Sequence, residues 1–200
     1  MPFLAVDTTA GKKRKRPERD EEKKIKSKKT AKLPLGDRED QEEQIIQLEA
    51  QVLQSRKHYN NIVTLLSLAK NESDTSVLAR VAICRIYCRL LAAGNLQHAQ
   101  DAAESERVIV QWLKARLDDY LEVLLAVSEL NSTSLTLVMR LVKEEVNQQA
   151  SSAWENGIFS RVMQSLLTSG TSTEALRGEF NLKYFQEYDD VRFQTLGCIV

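Results

Sequence analysis

Cys84 and Cys88 come closest in this sequence to a metal-binding motif. They are four residues apart, so on a helix they would share one face at a spacing that metal ligation allows. No second ligand pair accompanies them, because His58 and His98 lie singly in other segments. Free cysteine is among the most buried residue types. We therefore predict that both thiols pack in the core, with no metal and no cofactor.

Two acidic pairs and one glycine-lysine stretch complete the search for reactive groups. Asp118–Asp119 and Asp189–Asp190 are neighbours, and neighbours on a helix point about 100° apart, so they do not converge on one ion. We predict solvated helix surface or salt bridges to nearby arginines. Gly11-Lys12-Lys13 lacks the upstream glycine of a phosphate-binding loop. No catalytic constellation is visible, and we predict that the chain is not an enzyme.

Positive charge is concentrated near the N-terminus of a chain whose formal net charge is zero. Gly11 to Lys32 holds twelve basic and four acidic residues, and residues 1–36 carry a net charge of +7 (12 basic, 5 acidic). The remaining 164 residues carry −7 (16 basic, 23 acidic). Between Lys12 and Lys32 the only large aliphatic residue is Ile25. Such a segment cannot bury enough apolar surface to offset its ordering entropy, so we predict a disordered tail over residues 1–36.

Two basic clusters in this tail flank an acidic-rich spacer, which resembles a bipartite nuclear localisation signal. The same charges could bind RNA phosphates without reading sequence, because no aromatic residues are interleaved with them. A solvated tail that only maintains solubility is the third alternative. The candidate residues for import or phosphate contact are Lys12, Lys13, Arg14, Lys15, Arg16, Lys23, Lys24, Lys26, Lys28 and Lys29.

Residues 37–200 show helical periodicity throughout. All three prolines lie at or before Pro34, and no later segment alternates as a strand would. Apolar residues recur from Ile45 to Ala69 at nearly heptad spacing, which is compatible with a coiled coil. Asn60-Asn61 lies within this seam and favours a bend between two amphipathic helices that pack on the body. We predict one all-α scaffold domain, an irregular α-solenoid of antiparallel helices like those of HEAT and armadillo proteins.

Local signals place the helix ends. We expect Asp37 to cap the first helix, Ser73 or Asp74 to cap the apolar helix that follows, and Gly94 to end it. The segment Val77 to Ala93 is too charged for a membrane span and should form the centre of the fold. The other expected boundaries are a helix over about Glu104–Leu130, a capped turn at Asn131–Ser134, a stop at Ser169-Gly170, a start near Ser172 or Thr173, and a break near Asn181.

Three arginines interrupt the apolar helix: Arg80, Arg85 and Arg89. A charge on a nearly buried helix needs a partner, because an isolated buried charge costs several kcal/mol. One interpretation pairs them with carboxylates of the body, such as Asp118, Asp119 or Asp189. The other has them face RNA or an acidic partner protein.

Three segments resemble one known family. They are VAICRIYCRLLAAGNL (Val81 to Leu96), VIVQWLKARLDDYLEVLL (Val108 to Leu125) and LRGEFNLKYFQEYDDVRFQTL (Leu176 to Leu196). In this order they look like the N-terminal region of fourth nucleolar complex (Noc) proteins, of the CCAAT-binding-factor-like family of ribosome assembly factors. The resemblance extends over about Gln44 to Leu196. Family members are much longer, so we expect this chain to be a fragment or a product of its gene model.

The resemblance implies a helical scaffold in the nucleus and nucleolus, acting in the small-subunit processome that matures precursor rRNA. Its implied partners are other nucleolar assembly factors, including a larger nucleolar scaffold protein, and an import receptor. Precursor rRNA is a further partner, bound without sequence specificity, and no membrane is implied. The alternative is a generic nuclear helical adaptor unrelated to ribosomes.

Overall fold

The computed structural model describes residues 35–71, 73–97, 103–126, 130–149, 152–168 and 174–199. Within these ranges every regular element is helical, which confirms the all-α, solenoid-like fold class. The α-helices are α1 (Leu35–Gln54), α2 (Asn61–Lys70), α3 (Ser76–Ala92), α4 (Glu104–Leu125), α5 (Ser132–Gln149), α6 (Ser152–Asn156), α7 (Ile158–Thr168), α8 (Glu174–Phe180) and α9 (Asp189–Ile199). A 3-10 turn, Arg56–His58, follows α1, and a π-helical segment, Asn181–Phe185, follows α8.

Helix α3 lies at the centre, as its apolar sequence predicts. It packs against α1, α2 and α5. Tyr87 and Tyr120 are fully buried and stack with ring centroids 6.3 Å apart, which joins α3 to α4. Their hydroxyls are satisfied, since Tyr120 donates to the Arg80 carbonyl (2.6 Å) and Tyr87 to the Leu113 carbonyl (3.2 Å). The core therefore contains polar atoms, each fixed to the backbone of the facing helix.

The expected bend divides the heptad-like seam, so α1 and α2 form two packed helices rather than one coiled-coil helix. The break begins at Ser55, whose backbone is extended and whose hydroxyl accepts from the Lys57 amide. Helix α1 begins at Leu35, so the expectation that Asp37 caps it is wrong, and Asp37 lies inside the helix. An acidic residue is favoured in the first turn for the same electrostatic reason as at a cap, and sequence does not separate the two positions.

The boundaries of α3 and of its neighbours follow the sequence signals in part. Gly94 has φ 69° and its amide donates to the Leu91 carbonyl (2.9 Å), as predicted for a helix-ending glycine. The expected cap at Ser73 or Asp74 is wrong, because α3 begins at Ser76 after Thr75. The Thr75 hydroxyl bonds to Gln41 of α1 at 2.9 Å instead of capping α3. The Thr75 hydroxyl therefore bonds to a neighbouring helix and not to the backbone at the start of its own helix.

The predicted turn after α4 is present, but α4 ends at Leu125, before the expected Leu130. Asn131 Oδ1 accepts from the Ser134 amide at 3.0 Å at the start of α5, which confirms the capped turn. Residues 169–173, where a stop and a new start were expected, lie outside the described residues. The break near Asn181 is confirmed as the start of the π-helical segment.

Helix α9 has one buried side. Val191 and Thr195 are buried, whereas Phe193 is 75% exposed and Leu196 is 53% exposed. Positions 193 and 196 lie on the helix face opposite positions 191 and 195. None of the described helices is both long and apolar enough to span a bilayer.

Candidate interaction surfaces

The cysteine pair belongs to the core. Cys84 and Cys88 are both buried with their sulfurs 3.9 Å apart, and the Cys84 thiol lies 3.5 Å from the Leu137 carbonyl. The hydrogen bond with Cys88, together with burial, holds the pKa of Cys84 well above its ordinary value. Such a thiol is a poor ligand and a poor nucleophile. The described ranges contain no group of three or more histidine, cysteine or acidic side chains placed to hold a metal.

Three of the four aspartates in the two acidic pairs form salt bridges to arginines, as predicted. Asp118 accepts from Arg161 at 2.6 Å, and Asp119 lies 3.0 Å from Arg116. Asp189 lies 2.9 Å from Arg192 within α9. Three of the four carboxylates are therefore directed toward cations of the same chain, whereas the Asp190 carboxylate accepts from the Val191 amide at 2.8 Å.

The structure separates the three arginines of α3. Arg80 is buried, and its Nε donates to the Ala69 carbonyl of α2 at 3.1 Å. Arg85 makes a two-pronged contact with Glu49 of α1, with distances of 2.7 Å and 2.5 Å. This hydrogen-bonded contact raises the pKa of Arg85. Arg89 is exposed.

The expected pairing with a carboxylate of the body is confirmed for Arg85, although the partner is Glu49 and not Asp118, Asp119 or Asp189. Asp118 and Asp119 lie on α4 and bind other arginines, whereas Arg85 projects from α3 toward α1. Glu49 was missed because it lies in the heptad-like seam of α1, 36 residues away, and no local signal connects the two. The hypothesis that these arginines contact RNA or an acidic partner stays a prediction, and Arg89 is the member of the trio that lies on the surface. The ten basic tail residues lie outside the described residues.

An apolar groove lies between α5 and the C-terminal helices, with a volume of about 380 Å³. Its walls include Trp154, whose ring packs edge-on against Phe159 at 4.9 Å. Arg140 and Lys143 lie on the α5 side, and Asp190 on the side of α9. The other apolar and aromatic residues of this groove are Met139, Val142, Val146, Tyr184, Tyr188 and Val191.

A second groove lies where the turn after α1 meets the first half of α4, with a volume of about 230 Å³. We call it the tryptophan groove. It is lined by Arg56, Lys57, Tyr59, Asn60, Val108, Ile109 and Trp112. Sequence reasoning missed it, although Arg56-Lys57-His58-Tyr59 was a visible basic and aromatic run at the predicted bend. Its position opposite Trp112 depends on how α2 and α4 pack, which periodicity does not reveal.

The fold and its surfaces can now be compared with known proteins. A family model described as "Nucleolar complex protein 4-like, TPR repeats" matches residues 36–200. The chain belongs to the nucleolar complex protein 4-like family. The resemblance carried by the three sequence segments is therefore confirmed. The family description specifies TPR repeats, which belong to the same broad α-solenoid class as the HEAT and armadillo repeats that we expected.

Two relatives extend this assignment. An uncharacterized protein of Schizosaccharomyces pombe is 30% identical over 156 residues, covering 73% of this chain and 32% of the relative. A nucleolar complex protein 4 homolog of Danio rerio is 25% identical over 168 residues, covering 74% of this chain and 32% of the relative. The chain thus spans about a third of the length of these relatives. No solved structure matches it.

Proposed function

We propose that this nucleolar complex protein 4-like chain is a non-catalytic scaffold in the nucleolus that acts in ribosome biogenesis. The observation that carries the proposal is the family match over residues 36–200, which covers helices α2 to α9 in full and α1 from its second residue. The Danio rerio relative bears the name of a nucleolar complex, which supports a nucleolar site of action. The polar chemistry of the described residues is consistent with a scaffold, because its carboxylates and arginines bind one another across helices.

At a finer level, the proposed role is assembly of the small-subunit processome and maturation of precursor rRNA. The proposed partners are other nucleolar assembly factors, including a larger nucleolar scaffold protein. Solenoid surfaces suit this role, because stacked helices offer extended concave faces to large partners.

The basic tail supplies entry to the nucleus in this proposal. An import receptor would bind the clusters Lys12–Arg16 and Lys23–Lys29 as a two-part signal. After release, the same lysines and arginines are free to contact rRNA phosphates. The two uses are compatible because they occur in succession.

A generic nuclear adaptor is the competing function. It would share the import signal and the helical body but would have no reason to concentrate in the nucleolus. Fluorescence imaging of the tagged chain in living cells separates the two. We expect nucleolar concentration, whereas a diffuse nuclear signal would favour the adaptor.

The import step has its own test. Alanine at Lys12, Lys13, Arg14, Lys15 and Arg16 should send the tagged chain to the cytoplasm, while its unfolding free energy changes by less than about 0.5 kcal/mol. The matched control exchanges each lysine for arginine and each arginine for lysine at the same positions. This control keeps the charge and should remain nuclear. Full nuclear accumulation of the alanine variant would contradict the import role.

A further inference from the structure

The tryptophan groove combines exposed cations with aromatic rings. Arg56 and Lys57 are exposed cations, and none of its lining residues is acidic. Arg56 Nη2 donates to Asn95 Oδ1 at 3.2 Å, and Arg56 Nη1 forms a salt bridge of 3.7 Å with Glu106, whose side chain is 57% exposed. The charge of this groove therefore complements an anionic ligand, although the body as a whole is acidic.

An aromatic platform stands beside these cations. Trp112 is half-buried on the long helix α4 and packs in part against the core. The guanidinium of Arg116 lies over its ring, 5.9 Å from the ring centre. Tyr59 is half-buried at the end of the 3-10 turn. Aromatic rings held on rigid elements next to basic groups are the arrangement on which unpaired bases stack. Val108 is also 55% exposed at the edge of the groove, which adds apolar contact surface.

Amide groups continue the groove beyond Arg56. An adjoining cavity of about 190 Å³ shares Arg56, Tyr59 and Ile109 with the tryptophan groove. Its wall includes the amides of Asn95 and Gln97 and one carboxylate, that of Glu106, which pairs with Arg56. Side-chain amides present both a donor and an acceptor, which suits the hydrogen-bonding edges of exposed bases. The two cavities together provide cations, aromatic rings and amides along one continuous path.

We propose that the tryptophan groove and its amide extension bind single-stranded RNA. A base stacks on Trp112, a second lies against Tyr59, and the linking phosphates contact Arg56 and Lys57. An acidic peptide would match the cations but would leave the stacking surface and the amides without a matching chemistry. Duplex RNA would not fit, because its bases are stacked on each other and cannot reach the ring. This inference rests on the proposed function in one respect, namely that precursor rRNA is the RNA at hand.

The sharpest test uses tryptophan fluorescence in the full chain. The sequence has two tryptophans, so Trp154→Phe leaves Trp112 as the only reporter. Titration with a mixed-sequence single-stranded RNA decamer should quench this fluorescence to saturation, because a stacked base quenches indole emission. The same decamer in a duplex and a ten-residue glutamate peptide should leave the emission unchanged. Quenching by the glutamate peptide would replace the RNA proposal with a peptide site.

Affinity variants separate the groove from the tail. In a background with alanine at Lys12 to Arg16, Trp112→Leu should weaken decamer binding at least fivefold, since stacking contributes about 1 to 3 kcal/mol per base. Arg56→Gln with Lys57→Gln should reduce the salt slope by about 1.4, for two lost phosphate contacts. The charge-matched control, Lys70→Gln with Lys143→Gln, changes two exposed lysines outside the groove and should preserve the groove-dependent binding. Equal affinity of all these variants would overturn the proposal.

Should Trp154→Phe destabilise the fold, crosslinking of the unmodified full chain gives an independent answer. Ultraviolet crosslinking to the decamer followed by mass spectrometry should identify peptides containing Tyr59 or Trp112. Crosslinks confined to the tail would refute the groove. The two proposals also fail separately. If the chain concentrates in the nucleolus but RNA does not quench its fluorescence, only the groove proposal is rejected. If the chain is diffuse in the nucleus but RNA still quenches its fluorescence, only the ribosomal role is rejected.

Discussion

The central helix α3 and the terminal helix α9 place similar residue types in opposite surroundings. In α3 eleven of seventeen residues are buried, and two of its three arginines have identified partners on neighbouring helices. In α9 the apolar Phe193 and Leu196 face outward, while Thr195 is buried and bonds to the Val191 carbonyl at 2.7 Å. The predominantly apolar core therefore encloses the charged Arg80, whereas two large apolar side chains of α9 remain exposed.

The comparison teaches that residue type alone does not reveal a role. Arg85 resembles a nucleic-acid contact in sequence, yet in the structure it holds α1 against α3 through Glu49. Trp112 packs in part against the core, yet it also lines an open groove beside cations. In each case the packing partner across the fold decides between an architectural and a binding role.

The largest expected effect on the unfolding free energy comes from a comparison in which one leucine of each helix is shortened to alanine. Leu90 is buried in α3, so Leu90→Ala should lower the unfolding free energy by about 2 to 5 kcal/mol through lost transfer energy and a residual cavity. Leu196→Ala in α9 is the matched control and should change it by less than about 0.5 kcal/mol. Urea denaturation followed by circular dichroism measures both. Equal losses would show that α9 is as enclosed as α3.

A second contrast compares one ion pair from each region. Glu49 is nearly buried, so Glu49→Ala should cost about 1 to 3 kcal/mol by leaving Arg85 without its charged acceptor. Asp189 pairs with Arg192 but its side chain is 94% exposed, so Asp189→Ala should cost less than about 0.5 kcal/mol. The same denaturation experiment applies. A negligible cost at Glu49 would remove the architectural role assigned to Arg85.

The smallest expected effect is a pH dependence of the unfolding free energy, which arises from Glu145 of α5, whose carboxylate contacts the start of α7. Burial raises the pKa of Glu145, although the Ile158 amide donates to its carboxylate at 2.8 Å. The folded protein therefore binds this proton more tightly than the unfolded chain. Its contribution to stability is fully present below the unfolded pKa and is lost as pH rises through the folded pKa.

Glu145→Gln cannot ionise, and its amide oxygen can still accept from Ile158. The unfolding free energy of the variant minus that of the wild type should therefore rise as the pH increases above the ordinary pKa of a glutamate, about 4.3. Denaturation curves at several pH values from this pKa upward measure the difference. A difference that falls with pH would contradict the assignment.

Sequence predicted those features that depend on local rules. The conformation of Gly94, the turn at Asn131 and the break at Asn181 each follow from a residue type with a distinct backbone or capping preference. Apolar periodicity predicted the central position of α3. These features require no knowledge of which helix meets which.

The remaining features depend on contacts between distant segments. The Glu49 partner of Arg85 is 36 residues away, and the Tyr120 hydroxyl reaches the Arg80 carbonyl across 40 residues. The hydroxyl of Thr75 is bound by Gln41 of α1, so the start of α3 could not be read from its own sequence. The tryptophan groove is formed in the same way, by a turn and a helix about fifty residues apart.

The most direct test of the central claim is the fate of precursor rRNA when the protein is depleted. Northern blots with probes on either side of the small-subunit rRNA should show unprocessed precursors accumulating. The mature small-subunit rRNA should fall while the large-subunit rRNA is initially preserved. Re-expression of the wild-type gene should restore processing. Unchanged levels of small-subunit rRNA and its precursors after complete depletion would contradict a role in small-subunit assembly.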